Sequence, residues 1–413
     1  MEIKRDYYLQ KLIDRKENHL IKIITGIRRC GKSYLLNHIF KNYLLEIGVN
    51  ADHIIMVSLD DDDSESLLDV HNLNTYIKSQ IKDDDLHYVL LDEIQLVEGF
   101  ESLLNGLLRK ENLDVYVTGS NSKFLSSDII TEFRGRGDEI RVYPLSFSEF
   151  YSAYEGSKED AWQEYYTYGG LPLVLSYKNE IDKMAYLENQ RKNVYLNDVI
   201  ERNNIQNEQD LYTIVEILSS SVGSLTNPLK LSNTFKSNNK NTSITDKTIY
   251  NYLNYLEDAF LIESTKRYDV KGKKYIETPK KYYFTDIGIR NSFLNFRQQE
   301  ENHLMENIIY IELKRRGFSV DVGVVEVRDK SGQKKLEIDF VANRGNNRYY
   351  IQSALTIDSK EKREQEERSL INTNDFFRKI IIVKDNIKRW RDEKGIVIMG
   401  IVDFLLDFDS LDY

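Results

Sequence analysis

The chain has 413 residues, of which 30% are charged and 41% hydrophobic, and its formal net charge is −10. The length allows about two to four domains, and the charge excludes a uniformly basic nucleic-acid-binding coat but not a local basic patch. There is no run of about 18 apolar residues that would span a membrane, and the charged start MEIKRDYYLQ lacks the apolar core of a signal peptide. A single cysteine, Cys30, excludes an internal disulfide. We therefore expect a cytoplasmic protein without membrane contact.

The first motif is GIRRCGKS, Gly26 to Ser33, between the β-branched run LIKIIT and the helical pattern SYLLNHIF. It matches the P-loop pattern G-x-x-x-x-G-K-[ST] in the strand–loop–helix context that this pattern requires. The glycines let backbone N–H groups point inward at phosphates, Lys32 reaches the β- and γ-phosphates, and Ser33 offers a hydroxyl to Mg²⁺. The alternative is a chance match in an α/β loop. The predicted nucleotide-binding residues here are Gly26, Ile27, Arg28, Arg29, Cys30, Gly31, Lys32, Ser33 and Tyr34.

A second acidic motif follows in HYVLLDEIQ, where the apolar run Tyr88 to Leu91 predicts a strand. Asp92 and Glu93 come at its carboxyl end, where ligands of parallel sheets collect. We expect Asp92 to hold Mg²⁺ and Glu93 to act as the general base on the attacking water. The alternative is a pair of solvated carboxylates.

Two further stretches carry polar residues suited to a γ-phosphate. DVYVTGSNSKF predicts a strand that ends in Thr118, Ser120 and Asn121, and FRGRGDEI contains Arg134 and Arg136. An arginine near the phosphates, from the same chain or a neighbouring copy, stabilises charge in the transition state. A surface arginine pair is the alternative.

Taken in order, ITGIRRCGKS, LLDEIQ, VTGSNS, GRGDEIRVYPLSFSEF and YGGLPLVL resemble the prokaryotic AAA+-like ATPases of the archaeal-type and STAND-related group. The resemblance implies a sensor strand in VTGSNS, an arginine finger at Arg136, and nucleotide sensing from the lid at Pro172. It also implies an α/β fold with four parts: a P-loop NTPase (AAA+-like) core at residues 1–148, a helical lid at 149–208, a winged helix at 209–292, and a nuclease-like domain at 293–413.

Residues from 209 onward also read as a winged helix on their own pattern, with three helices followed by a basic hairpin. The hairpin is rich in lysines, and at its tip are Lys271, Lys273 and Lys274. Lysines at this density suit contact with the DNA backbone without base selectivity. A hairpin used only for packing is the alternative.

The last part has the order of a PD-(D/E)XK nuclease: a helix with Glu306, a strand with Asp339 in EIDF, and a next strand IQSA. In that fold two acids bind a divalent metal and a lysine activates water. Here Gln352 replaces the second acid and Ala354 replaces the lysine. Glu306, Glu337 and Asp339 could still gather Mg²⁺, but we expect a degenerate site, kept for packing, DNA holding or partner contact.

Together these motifs predict Mg²⁺-dependent binding and hydrolysis of ATP, with the nucleotide state re-aiming the winged helix and the nuclease-like domain. DNA, further copies of the chain and a protein partner are the expected partners. A nucleotide-switched scaffold with slow turnover and an ATP-controlled nuclease are the alternatives. The preference for ATP over GTP rests on the resemblance alone.

Overall fold

The fold is taken from a computed structural model that describes residues 3–120, 135–238, 244–297, 300–329 and 332–412. The chain divides into two compact units. The first comprises Met1–Pro144 and Asp258–Phe260, and the second comprises Leu145–Glu257 and Leu261–Tyr413.

The first unit alternates strands with helices. Helix α2 passes through three consecutive segments, Lys32–Tyr34, the π-helical Leu35–Phe40 and Lys41–Glu46. The other elements, in chain order, are α1 (Asp6–Ile13), β1 (Ile21–Thr25), β2 (Ile54–Ser58), α3 (Val70–Gln80), β3 (His87–Asp92), α4 (Phe100–Leu107), β4 (Leu113–Gly119) and β5 (Gly137–Arg141).

Its five strands form a parallel sheet in the order β2-β3-β4-β1-β5. All residues of β1 and β3 are buried, because helices cover both faces of a parallel sheet and its strands are therefore continuous apolar runs. In this register Thr25 pairs with Gly119, and Leu91 pairs with Val117. The sheet therefore brings the carboxyl ends of β1, β3 and β4, and the motifs that follow them, to one edge.

The second unit begins with helices. Helix α7 again has three consecutive segments, Glu180–Asn189, the π-helical Gln190–Leu196 and Asn197–Arg202. The others are α5 (Phe147–Ser152), α6 (Lys158–Tyr168), α8 (Glu208–Ser220), α9 (Pro228–Asn238), α10 (Asp246–Asp258), α11 (Ile287–Phe293), α12 (Glu301–Arg315), α13 (Lys360–Ile371) and α14 (Ile401–Leu406).

The same unit contains an eight-stranded mixed sheet in the order β12-β13-β11-β10-β9-β8-β6-β7. Its strands are β6 (Ile262–Asp269), β7 (Lys274–Phe284), β8 (Ser319–Asp329), β9 (Gly332–Arg344), β10 (Asn347–Ala354), β11 (Arg378–Val383), β12 (Trp390–Arg391) and β13 (Val397–Gly400).

The sequence predicts separate domains at 209–292 and 293–413, but this sheet crosses that boundary. The hairpin β6–β7 of the predicted winged helix is antiparallel, and β6 also pairs in parallel with β8, with Arg267 opposite Val322 and Asp269 opposite Val324. An unpaired strand edge presents free N–H and C=O groups, and β8 covers this edge of β6 from Arg267 to Asp269. The hairpin and the predicted nuclease-like strands are thus one structural layer.

Candidate active site

The loop between β1 and α2 has a backbone that few residues allow. Gly26 has a φ of +145°, and a Cβ there would lie 2.1 Å from the carbonyl oxygen of Val142. Gly31 has a φ of +99° and Arg29 one of +63°. Left-handed angles are open to glycine at little cost, so the two motif glycines permit the tight curl of this loop.

Lys32 begins α2, and its side chain lies within the curl of the loop. The Nζ donates to the carbonyl oxygens of Gly26, at 3.0 Å, and Ile27, at 3.2 Å, and the residue is 3% exposed. The ammonium is therefore held against the backbone of the loop that matches the P-loop pattern. Cys30 is buried and its thiol donates to the carbonyl of Val142 at 3.6 Å, so this residue offers the site only its backbone.

Asp92 ends β3 and faces the start of α2. Its carboxylate accepts hydrogen bonds from the hydroxyl of Thr118 and from the Asn37 side-chain amide, the latter at 3.3 Å, and the Ser33 hydroxyl lies beside it. Burial raises the pKa of Asp92, and the neighbouring hydroxyls of Thr118 and Ser33 oppose that rise. A hydroxyl and a carboxylate in contact are the oxygen ligands that Mg²⁺ takes in phosphoryl-transfer sites, so the residues present fit this ion.

Glu93 turns away from the strand that Asp92 ends. Its φ is +54°, and its backbone N–H donates to Thr118 Oγ1 at 2.9 Å. This left-handed step takes the side chain out of the sheet to a half-buried position, where the Gln95 side-chain amide contacts its carboxylate. The carboxylate of Glu93 is thereby separated from that of Asp92.

The end of β4 completes this edge of the sheet. Thr118 is fully buried between Asp92 and the backbone of Glu93. The Ser120 hydroxyl accepts from Arg28 Nε and from Gln95 Nε2, each at 3.4 Å. Asn121 and Arg134, which the sequence analysis also considered, lie outside the described residues.

Asn37 and Gln95 are site residues that the sequence analysis missed. Asn37 lies one helical turn beyond Ser33, so its position on the same face of α2 was a usable signal. Gln95 is part of the motif HYVLLDEIQ. Its side-chain amide reaches the Glu93 carboxylate only because the backbone turns at Glu93, and the sequence does not show that turn.

Arg136 lies at the other edge of the sheet. Its carbonyl accepts from the N–H of Ile21, the first residue of β1, and its exposed guanidinium donates to Asn105 Oδ1 at 3.4 Å. The full length of β1 separates it from the loop at Gly26. Within one chain Arg136 does not lie beside its own P-loop, because β5 runs parallel to β1 and this arginine precedes β5. Its catalytic role stays a prediction.

The YGGLP element belongs to the second unit. Pro172 begins a 3₁₀ turn, Pro172–Ser176. The N–H of Gly170 donates to Asp286 Oδ2 at 2.8 Å, and a Cβ on Gly169 would lie 2.4 Å from Asp286 Oδ1. The buried carboxylate of Asp286 thus fixes the positions of Gly169 and Gly170. Nucleotide sensing by Pro172 stays a prediction.

The predicted nuclease residues do come together in the second unit. Glu306 of α12 and Asp339 of β9 both contact the ammonium of Lys281, a residue of β7. Gln352 uses its side-chain oxygen to accept from the N–H of Asp339 at 3.4 Å. Ala354 ends β10 and is buried.

The lysines at the tip of the hairpin have a different environment from Lys281. Lys271, Lys273 and Lys274 are exposed. Lys273 has a φ of +52° in the turn, and Lys271 Nζ donates to the carbonyl of Glu326 at 2.8 Å. The tip therefore presents positive charge to solvent.

Comparisons with known proteins place an AAA domain over residues 18–151, the segment that contains the P-loop, Asp92 and Glu93. A second family, described as Domain of unknown function (DUF8612), matches residues 159–300. The α/β fold with its parallel sheet is consistent with an AAA P-loop core, and the AAA domain supports a nucleotide-binding ATPase. In the described residues, no helix is long and apolar enough to cross a membrane.

An uncharacterized protein of Haemophilus influenzae is 34% identical over 410 residues, which are 98% of each chain. An uncharacterized protein of Methanocaldococcus jannaschii is 29% identical over 379 residues, 88% of this chain and 80% of that one. Among solved structures, the Aeropyrum pernix ORC1 protein in complex with DNA is 10% identical and covers 71% of this chain and 93% of its own, with a TM-score of 0.31. A likeness at that TM-score supports no further conclusion.

Proposed function

We propose that the chain binds ATP with Mg²⁺ and hydrolyses it. The premise is that it belongs to the family of the Haemophilus influenzae protein and carries an AAA domain. One observation supports this most directly. The carboxylate of Asp92 lies at the sheet edge beside the P-loop, with the hydroxyls of Ser33 and Thr118 next to it and Glu93 following it in the chain.

The residues have distinct roles in this proposal. Backbone N–H groups from Gly26 to Ser33 bind the phosphates, and Lys32 leaves its two carbonyl partners to contact the β- and γ-phosphates. Ser33 and Asp92 would hold Mg²⁺, which neutralises charge that builds on the phosphate oxygens. Glu93 orients the attacking water and accepts its proton as the new P–O bond forms and the β–γ bridge bond breaks.

Nucleotide binding tests the site independently of turnover. We expect a fluorescent ATP analogue to bind the full chain in Mg²⁺ and to bind more weakly in EDTA, because Ser33 and Asp92 contribute through the metal. Displacement by unlabelled ATP but not GTP would support the preference that the AAA family implies. Equal binding with and without Mg²⁺ would contradict the roles of Ser33 and Asp92.

DNA contact by the hairpin tip is a second proposal. It is supported by the exposure of Lys271, Lys273 and Lys274 and by the turn that projects them. The pairing of β6 with β8 favours the packing alternative, but that pairing uses backbone groups and leaves the lysine side chains of the tip at the surface. Phosphate contacts of this kind are salt-dependent and insensitive to base sequence.

We also propose that Arg136 acts on the nucleotide of a neighbouring copy. Its exposed guanidinium and its place away from the P-loop of its own chain support this. Mixing Arg136→Ala chains with Lys32→Ala chains tests it. Recovery of hydrolysis in the mixture supports a shared site, and inactivity of both chains and of the mixture contradicts it.

A further inference from the structure

The carboxylate cluster of the second unit contains a cation supplied by the chain itself. Lys281 of β7 is 3% exposed, and its Nζ lies 2.8 Å from Glu306 Oε1, 2.8 Å from Glu337 Oε1 and 3.8 Å from Asp339 Oδ1. These three acids are the ones that the sequence analysis considered as ligands for Mg²⁺. The ammonium lies among them, where a divalent ion would otherwise have to bind.

Two of these acids also accept hydrogen bonds from groups other than Lys281. Glu306 Oε1 accepts from the hydroxyl of Tyr283 at 2.7 Å, and Asp339 Oδ2 accepts from the N–H of Ser353 at 2.8 Å. The Gln352 oxygen, which would replace the second acid of a nuclease, is directed to the backbone of Asp339. The cluster therefore already has a hydrogen-bonded arrangement built around an ammonium.

The charges fit the same arrangement. Burial alone would lower the pKa of Lys281, but Glu306, Asp339 and Glu337 together raise it, so the ammonium stays protonated. Burial and the neighbouring Glu306 raise the pKa of Asp339, whereas Lys281 lowers it.

We propose that Lys281 is the resident cation of the Glu306–Glu337–Asp339 cluster, so that the cluster ties β7 to α12 and β9 and does not bind a divalent metal. Mg²⁺ requires several oxygens at about 2.0–2.1 Å in octahedral geometry, and an ammonium in contact with two of these acids excludes that. The nuclease-like part of this chain then uses its acids to join the hairpin to the sheet. A protonated lysine also cannot serve as the missing general base.

Binding of Mn²⁺, followed by electron paramagnetic resonance, tests this in the full-length chain without nucleotide. Ser33→Ala is included in every variant to remove the metal ligand of the P-loop. With Lys281 present, we expect no Mn²⁺ whose binding depends on Glu306. Lys281→Met should create one Mn²⁺ site per chain, because it removes the ammonium and leaves three acids, and adding Asp339→Asn should abolish that site.

Lys280→Met is the matched control, because Lys280 neighbours Lys281 on β7 but its Nζ reaches only Ser264, at 3.5 Å. It should create no site. Lys281→Met should also lower the melting temperature by more than about 5 °C, since uncompensated buried charges are costly, and Mn²⁺ should restore part of it by binding the folded state. Tryptophan fluorescence reports this unit, because both tryptophans, Trp162 and Trp390, belong to it.

Two results would overturn the proposal. One is stoichiometric Mn²⁺ in the chain with Lys281 intact that Glu306→Gln removes. The other is a folded Lys281→Met chain that binds no Mn²⁺. If Lys281→Met does not fold, the comparison of the intact chain with Glu306→Gln decides: Mn²⁺ binding that is independent of Glu306 supports the ammonium as the resident cation.

Discussion

At the scale of single residues, Asp92 and Glu93 show how adjacent acids acquire different environments. Asp92 is 2% exposed and accepts side-chain hydrogen bonds from Thr118 and Asn37, whereas Glu93 is half-buried and contacts one amide. The left-handed φ of Glu93 causes the difference, because it ends the strand between the two side chains. A fixed, hydrogen-bonded acid suits a metal, and a more accessible one suits a water molecule.

Replacing Lys32 by Ala tests the placement of the phosphates. We expect loss of ATP binding or of turnover by at least about 100-fold, because a P-loop without its lysine lacks the charge that meets the β- and γ-phosphates. Equilibrium binding and phosphate release measure this. Lys41→Ala, a change later in the same helix α2, is the control and should keep both, whereas hydrolysis retained in Lys32→Ala would refute the site.

Replacing Glu93 by Gln separates binding from chemistry. The amide keeps the shape of the side chain but cannot accept a proton, so we expect ATP to remain bound while its cleavage falls by about 100-fold or more. Nucleotide retained on the purified chain, read by chromatography, measures the effect. Glu98→Gln, an exposed acid in the same loop region, should behave as wild type. A wild-type rate in Glu93→Gln would place the base elsewhere.

At the scale of elements, α12 is fixed by a buried ion group at its carboxyl end. Glu312 is 4% exposed and accepts from Arg315 and from Arg316, each of whose guanidinium groups lies at 2.6 Å. Arg316 also donates to the carbonyl of Phe408 at 3.0 Å and to Ser410 Oγ at 2.9 Å. One carboxylate therefore contacts two guanidinium groups, and Arg316 also joins the end of α12 to the end of the chain.

We expect Glu312→Gln to lower the free energy of unfolding of this unit by about 3–5 kcal/mol, because it leaves two buried cations without their partner. Urea unfolding followed by tryptophan fluorescence measures it, and Glu361→Gln, an exposed acid on α13, is the control.

Burial would raise the pKa of Glu312, but Arg315 and Arg316 lower it overall. The stabilisation is then present above the unfolded pKa of about 4.3 and is lost as the pH falls through the lower folded value. A change below about 1 kcal/mol would contradict this role.

The hairpin tip gives a second prediction at this scale. We expect the triple change of Lys271, Lys273 and Lys274 to Ala to weaken DNA binding and to flatten its dependence on salt. DNA releases counterions when lysines bind its phosphates, so fewer are released when these lysines are absent. Fluorescence anisotropy with a labelled duplex across a salt series measures both. Three exposed lysines elsewhere, Lys360, Lys362 and Lys388, serve as the matched control. An unchanged affinity would leave the hairpin as a packing element.

How far the sequence predicts this molecule depends on the distance over which each feature forms. The P-loop, Asp92 and Glu93 were predictable, since each depends on a strand and the few residues after it. Lys281 was not, because its burial depends on α12 and β9, which come later in the chain and cover that part of β7. Likewise, the parallel pairing of β5 with β1 places Arg136 away from the P-loop. The residues around Arg136 do not by themselves reveal which strand pairs with which.

At the scale of the whole molecule, the chain has two compact units. The remaining question is how nucleotide bound by the first unit affects the second. A DNA-acting ATPase, in which the nucleotide state re-aims the hairpin and its sheet, requires that DNA change the rate of hydrolysis. A nucleotide-switched scaffold requires slow turnover and ADP retention that nucleic acid does not alter. A ligand shifts such a switch only through different affinities for its two states. An ATP-controlled nuclease is disfavoured by the ammonium of Lys281 among its acids.

Steady-state phosphate release from ATP by the full-length chain, in Mg²⁺ and in EDTA and with and without duplex DNA across a salt series, is the most direct test. We predict turnover that requires Mg²⁺, rises with DNA and loses the DNA-dependent part as salt increases, because the lysine contacts are screened. Slow Mg²⁺-dependent turnover indifferent to DNA would favour the scaffold. The absence of any Mg²⁺-dependent hydrolysis would contradict the assignment of Lys32, Ser33, Asp92 and Glu93 as an ATPase site.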